Sequence, residues 1–376
     1  MPARYDVILV GLGAMGSAAA FHLAQRGRRV LGLDRFAPPH SLGSSHGQTR
    51  IIREAYFEHP VYVPMVQRAY ELWDQLARLA GADLFRQTGG LMIGRPDSLL
   101  FTGAKRSADT HRLPYEILTA AQIRRRFRVL HPEEEMAGIW EPRAGILFPE
   151  RCVAAHLAMA ARQGANLRYE EPVVRWESGA DAIRVVTTKA EYRATYLVLC
   201  AGSWIRDLVP ELALPFTVER QILFWFEPKN CPTLFYPEHC PINLWQFDGR
   251  RFFYGFPDVG QGVKVARHHE GEFTQPDEVR RDVAPDEVEA MRAILRRFLP
   301  DADGSLSSAT VCLYTNTPDQ HFWIDWHPRH PQVLLVSPCS GHGFKFSSAV
   351  GELVCDLVVR GQGAFDLSLF RNRLLA

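Results

Sequence analysis

Apolar positions fall along this chain in two rhythms. Tyr5–Val10, Arg29–Leu33 and Val333–Val336 are short runs with the length and β-branched content of buried strands. Val63–Ala80 instead repeats apolar residues at 65, 69, 72, 76 and 79, with Pro64 near its start and Gly81 after its end. That period predicts an amphipathic helix. Helices are also predicted over Ser17–Arg26, closed by Gly27, over 151–163 before Gly164, and from about Ser347. Strands are expected at 167–176, 183–188 and 191–200, the last running into Cys200-Ala-Gly-Ser-Trp204. Residues 216–270, rich in aromatics with apolar and polar positions alternating, read as a sheet. The 376 residues suit about two domains, and no long linker or repeat separates them. The expected domains are therefore interleaved: 1–85, 148–215 and 305–376 in one, 86–147 and 216–304 in the other.

The first strand runs directly into Gly11-Leu-Gly13-Ala-Met-Gly16, then the alanine-rich helix, a second strand and Asp34. Gly11 permits a tight turn, Gly13 lets the backbone approach a pyrophosphate, and Gly16 lets helix and strand pack closely. The helix N-terminus offers free N–H groups to the phosphates, and Asp34 can accept hydrogen bonds from a ribose. An acid at this place favours NAD or FAD over NADP. A plain NAD dehydrogenase would continue in regular βα units, and this chain does not. The meander that includes Val174 and returns to Ala201-Gly202 is the expected second contact to a bound FAD.

Composition narrows the class. Hydrophobic residues make up 47% and charged residues 23%, ordinary for a globular chain with a buried core. Lys+Arg is 43 against 42 for Asp+Glu, a formal net charge of +1. This argues against a nucleic-acid binder that relies on overall basic charge and against an acidic disordered chain. Seven cysteines without a CxxC pair give neither a disulfide framework nor a zinc site. His268 and His269 lack a spaced metal-ligand partner, so no metal is expected. Val7–Gln25 is uncharged but holds three glycines and many alanines, so no membrane span is expected, and a secretory signal would not need Asp34. With no leader before the first strand, and Arg373-Leu-Leu-Ala376 not a peroxisomal address, the cytoplasm is the expected location.

Longer strings carry a more specific signal: Ser44-Ser-His46-Gly-Gln-Thr-Arg50-Ile-Ile-Arg53, Tyr254-Gly-Phe-Pro, Val311-Cys312-Leu-Tyr314-Thr-Asn-Thr-Pro-Asp319 and Ser340-Gly-His-Gly-Phe-Lys345-Phe. With these, nearly end to end, the chain resembles the monomeric sarcosine oxidase family, which includes N-methyltryptophan oxidase and the pipecolate oxidases. The resemblance implies an α/β fold of the D-amino-acid-oxidase type, a Rossmann-like FAD-binding domain interleaved with a mixed-sheet α+β substrate domain. It implies a monomer that oxidises a secondary or N-methyl amino acid with O2, binding neither membrane nor nucleic acid.

The same resemblance assigns roles. Cys312 corresponds to the cysteine joined through sulfur to the flavin, with His46 and Arg50 near the ring as electrostatic partners. Arg53 and Lys345 match the binders of the substrate carboxylate, a group that needs opposite charge once desolvated. Lys264, alternating with Val263 and Val265, matches the oxygen-activating lysine. Tyr254, His268 and Tyr314 match pocket residues, and Trp245 lies on the segment expected to line the substrate cavity. Gly341 and Gly343 flank the loop from which Lys345 and the following helix start face the flavin.

The chain departs from the family pattern at Ser45-His46-Gly-Gln48, where two histidines and an acid are common, and at Ser337-Pro338-Cys339. These differences bear on the substrate more than on the cofactor. Gly43-Ser-Ser45-His-Gly47 also fits GxSxG, but Pro38-Pro39-His40-Ser41 is no strand, as the hydrolase elbow requires. Two other classes stay open: a dehydrogenase passing electrons to another acceptor, and a silent flavin protein.

Overall fold

The computed structural model describes residues 4–179 and 181–371, so Arg373–Ala376 lies outside the described residues. Arg4–Val10 forms the middle of an eight-stranded sheet, parallel to Val30–Leu33 on one side and Glu191–Leu199 on the other. His330–Ser337 adds a further parallel strand beside Glu191–Leu199, and Asn166–Arg168 one beside Val30–Leu33. The central strands are buried because helices Ala14–Gln25, Pro149–Arg162 and Ser347–Arg360 pack together over the sheet. The opposite face packs on Ile183, Val185, Ile205 and Trp323, so with both faces covered the buried segments Val7–Val10 and Val30–Leu33 do not alternate with polar residues.

The helix Val63–Ala80 has the predicted bounds, with Gly81 in the left-handed region at φ +61°. The first helix starts earlier than its composition suggested, at Ala14, because Gly13 is its N-cap. The expected strand 167–176 divides in two. Asn166–Arg168 pairs in the parallel sheet and Val173–Ser178 in an antiparallel ribbon with Ile183–Thr187, leaving Tyr169–Pro172 between them.

A nine-stranded mixed sheet forms the second layer, with Thr217–Phe226, Val263–His268, Arg251–Phe256 and Ile242–Phe247 as consecutive neighbours. Gly90–Gly94, Ala137–Glu141 and Glu116–Thr119 extend it. Leu306–Asn316 pairs along the whole of Thr217–Phe226. The strand that carries Cys312 thus belongs to this second sheet, whereas the sequence reading grouped 305–376 with the first. The chain returns to the first sheet only with Trp323–His327 and His330–Ser337.

Candidate active site

A cavity of about 440 Å³ lies between the two sheets. The first sheet contributes Gly11, Gly13, Asp34 and Ala201 to its walls, and the second contributes Leu244, Tyr254, His268, Cys312 and Tyr314. Gly11 has φ +91°, and a Cβ there would lie 2.5 Å from the Cys200 carbonyl oxygen. A Cβ on Gly16 would lie 1.8 Å from the Gly11 carbonyl oxygen, so Gly16 serves helix–strand packing and does not face the cavity. Asp34 is buried and accepts hydrogen bonds from the amides of Leu12 (2.6 Å) and Phe36 (2.8 Å), one on each oxygen. Burial raises its carboxyl pKa while those two amides pull it back. A carboxylate has about four lone-pair sites, so acceptor capacity remains for ribose hydroxyls. The helix that starts at Ala14 has no side-chain cap on Gly13, leaving N–H groups for phosphate oxygens. The glycine turn, the open helix start and the acid fit the adenosine diphosphate half of FAD.

Further along the cavity, Arg50 donates to the carbonyls of Thr49 (2.9 Å) and Ser44 (2.8 Å) and sets its guanidinium 3.5 Å from the Cys312 sulfur. His46 is buried, and its Nε2 has no hydrogen-bond partner among the described residues. Burial, with Arg50 and Lys264 close by, lowers its pKa to about 3. The expectation of two cations beside the flavin therefore reduces to Arg50, with His46 neutral. Lys264 does not line the cavity either. It is buried beneath the Gly47–Thr49 loop, donating to the Gly47 carbonyl (2.7 Å), the Thr49 carbonyl (2.8 Å) and the Thr49 hydroxyl (3.1 Å). Burial first, and Arg50 second, push its pKa well below the ordinary lysine value.

Arg53 and Lys345 both reach the cavity, Lys345 from a single 3-10 turn after the glycine loop. Gly341 in that loop has φ +77°, and a Cβ there would sit 2.4 Å from the Tyr314 ring. A Cβ on Gly343 would meet the Pro338 carbonyl oxygen at 1.9 Å. Arg53 is gripped by Glu58, which accepts 2.9 and 2.8 Å hydrogen bonds from one of its nitrogens. Burial opposes both charges, but the pairing outweighs it, holding Glu58 below and Arg53 above their ordinary pKa values. Lys345 donates to the His342 carbonyl at 2.7 Å and lies 3.5 Å from the Tyr56 hydroxyl, which itself meets His342 Nδ1 at 2.6 Å. Burial and Arg53 bring Lys345 down to about 7. His268 Nδ1 lies 3.2 Å from the Tyr314 hydroxyl, and burial next to His269 depresses its pKa, leaving a neutral ring.

Two sequence expectations are corrected. Trp245 points away from the cavity and stacks on Phe253 within the core cluster that includes Phe298. Its neighbour Leu244 faces the cavity instead, because successive strand residues alternate sides. Val174 is 58% exposed, and Val173 takes its expected place on the cavity wall. Sequence reading also missed Tyr56, Glu58, Glu141 and Glu150. Glu58 follows Arg53 on an irregular segment and had no pattern to mark it. Glu150 had a weak signal, an acid just after a helix-starting proline, which is read by default as dipole compensation.

Residues 6–357 match the family described as FAD dependent oxidoreductase. The chain is 47% identical to a monomeric sarcosine oxidase of Streptomyces avermitilis, over 100% of this chain and 99% of that one. It is 35% identical to an N-methyl-L-tryptophan oxidase of Yersinia pestis, over 97% and 98%. Among solved structures it is similar to NikD, an unusual amino acid oxidase essential for nikkomycin biosynthesis, with TM-score 0.84 and 25% identity over 97% of this chain and 96% of that one. The fold is also that of a glycine oxidase from Geobacillus kaustophilus, with TM-score 0.83 and 20% identity over 98% of each chain.

Proposed function

The chain belongs to the FAD dependent oxidoreductase family, and from that premise we propose that it oxidises a secondary or N-methyl amino acid to its imine, with O2 reduced to H2O2. The observation that carries this reading is the convergence of Arg53 and Lys345 on one cavity shared with the nucleotide cradle. Bound FAD would supply the two-electron acceptor for the substrate C–H bond and the route of those electrons to O2.

This chain's residues do the rest. Lys345 keeps at least one ammonium proton beyond those given to His342 and Tyr56. Arg53 keeps donors beyond those held by Glu58 and the Ala55 carbonyl. Together they receive the substrate carboxylate where water is excluded and opposite charge acts at full strength. The aromatic walls, Phe57 and Tyr254, enclose the apolar part of the amine. The amine binds neutral, because a further cation in a site lined by Arg50, Arg53 and Lys345 is disfavoured. Cys312, buried on the wall and next to Arg50, would attach the FAD covalently through its sulfur. Lys264, held behind the Gly47–Thr49 turn, would stabilise the negative charge that develops on O2 through space rather than by a direct hydrogen bond. The FAD-binding domain would take 1–85, 148–215 and the part of 305–376 that follows the Cys312 strand, and the substrate domain 86–147, 216–304 and that strand. The chain acts as a monomer in the cytoplasm.

Anaerobic mixing of the yellow holoenzyme with sarcosine, N-methyl aromatic amino acids, proline and pipecolate, followed by air, tests this function. Bleaching, then fast recovery with H2O2, is expected for at least one substrate. Bleaching with slow recovery would indicate a dehydrogenase, and no bleaching would overturn the proposal.

A further inference from the structure

The loop over Lys264 is an unusual construction. Gly47 at φ +94° and Gln48 at φ +69° are consecutive left-handed residues, and the second is strained for a residue with a side chain. The Thr49 amide donates back to the Gly47 carbonyl at 2.8 Å. This tight turn directs the Gly47 and Thr49 carbonyls and the Thr49 hydroxyl toward one point, where they take the protons of the Lys264 ammonium. A turn of this kind leaves the amides of Gly47 and Gln48 pointing the other way. Both donate to a single oxygen, Oε1 of Glu150, at 2.7 and 3.0 Å. Glu150 stands in the first turn of the Pro149–Arg162 helix, a rigid element of the core.

We propose that Glu150 is the positioning residue for Lys264, fixing the acceptors of the ammonium by holding the opposite side of the Gly47–Thr49 turn. Paired charge-assisted hydrogen bonds offset the strain at Gln48, and they do so from a helix rather than from another loop. Without the carboxylate, the turn relaxes and its carbonyls no longer converge. Lys264 then has a longer reach and a different set of partners. The consequence for oxygen rests on the proposed role of Lys264 in O2 reduction, whereas the structural consequence does not.

The test uses wild-type, Glu150→Ala and Glu150→Gln holoenzymes. Hydrogen–deuterium exchange over residues 43–52 and amine-reactive labelling of Lys264 report the turn. Anaerobic reduction and reoxidation in air, followed separately, report the chemistry. In Glu150→Ala, exchange at Gly47 and Gln48 and labelling of Lys264 speed up, and reoxidation slows by about 10- to 100-fold while substrate reduction changes little. Glu150→Gln restores all three measures toward wild type, since one amide oxygen can accept from both N–H groups. If Glu150→Ala does not fold, Glu150→Asp withdraws the oxygen and shows the same exchange and labelling changes. Wild-type exchange and labelling in the alanine or aspartate variant overturns the proposal. So does a glutamine variant as impaired as the alanine one, or equal loss in both half-reactions. If Lys264→Met reoxidises like wild type, the oxygen role fails, and exchange and labelling still decide the role of Glu150.

Discussion

Arg50 and Cys312 meet on the cavity wall, a guanidinium nitrogen 3.5 Å from the sulfur, although Arg50 starts a short strand, Arg50–Ile52, paired with Gly145–Leu147, and Cys312 lies in the nine-stranded sheet. The guanidinium places a fixed positive charge beside the sulfur. It also favours electron-rich character in whatever ring the sulfur attacks.

A flavin held by that sulfur survives acid denaturation. Acid-precipitated wild-type protein stays yellow, and Cys312→Ser releases its flavin into the supernatant. A colourless wild-type pellet would exclude the covalent bond.

For Lys264, replacement by methionine removes the only charge in a side chain of similar length. Reoxidation of the reduced enzyme by O2 is expected to slow by about 100-fold or more, with reduction by substrate much less affected. Stopped-flow measurement of each half-reaction separates the two, and equal slowing of both would count against the assignment.

Lys345 makes substrate binding pH-dependent. Its pKa is lowered to about 7 by burial and Arg53, so the ammonium is present below that pH and lost above it. For a carboxylate ligand that carries no amine, such as acetate, Kd is expected to rise as pH passes upward through about 7, shifted upward to the extent that the bound carboxylate stabilises the cation. Lys345→Met weakens binding by about 10- to 100-fold at pH 6 and flattens this dependence. A variant that keeps the wild-type pH profile would show that another group titrates.

Glu141 accepts the amides of Glu54 (2.6 Å) and Ala55 (2.8 Å), directly after Arg53, and burial raises its pKa to about 7. The folded pKa lies above the unfolded one, so its favourable contribution is complete below about 4.5 and lost as pH rises through about 7. Glu141→Gln does not titrate. Compared with wild type, its stability in urea melts is expected to lose that downward slope between these two pH values. Parallel pH profiles for the two proteins would assign the titration elsewhere.

Leu244 and Trp245 distinguish the two faces of one strand. Leu244→Ala enlarges the cavity and shifts preference toward bulkier amines. Trp245→Ala costs about 3–5 kcal/mol of stability through a core cavity. Substrate preference that follows Trp245 rather than Leu244 would reverse this placement.

Much of the molecule was readable from local pattern. The helix Val63–Ala80 came out with its true ends because its period, its proline and its terminal glycine are all local signals. The nucleotide cradle was equally plain, since Gly11, Gly16 and Asp34 act within one contiguous βαβ unit. The resemblance of longer strings added Cys312, Arg53 and Lys345, which the fold brings to one cavity.

Tertiary structure decided what local pattern leaves equivalent. Trp245 and Leu244 are both buried, so alternation says that they face opposite ways but not which way the cavity lies. Lys264 has the sequence of a solvated sheet position, yet a loop some two hundred residues away covers it and takes its protons. His46 reads as a cation until its burial beside Arg50 makes it neutral. Glu58 and Glu150 have no meaning until the groups they hold are in place. Backbone preference and hydrophobic period act over one turn or one strand and are therefore written in sequence. Charge state and hydrogen-bond partnership depend on solvent exclusion and on neighbours from other segments, and these exist only once the chain has folded.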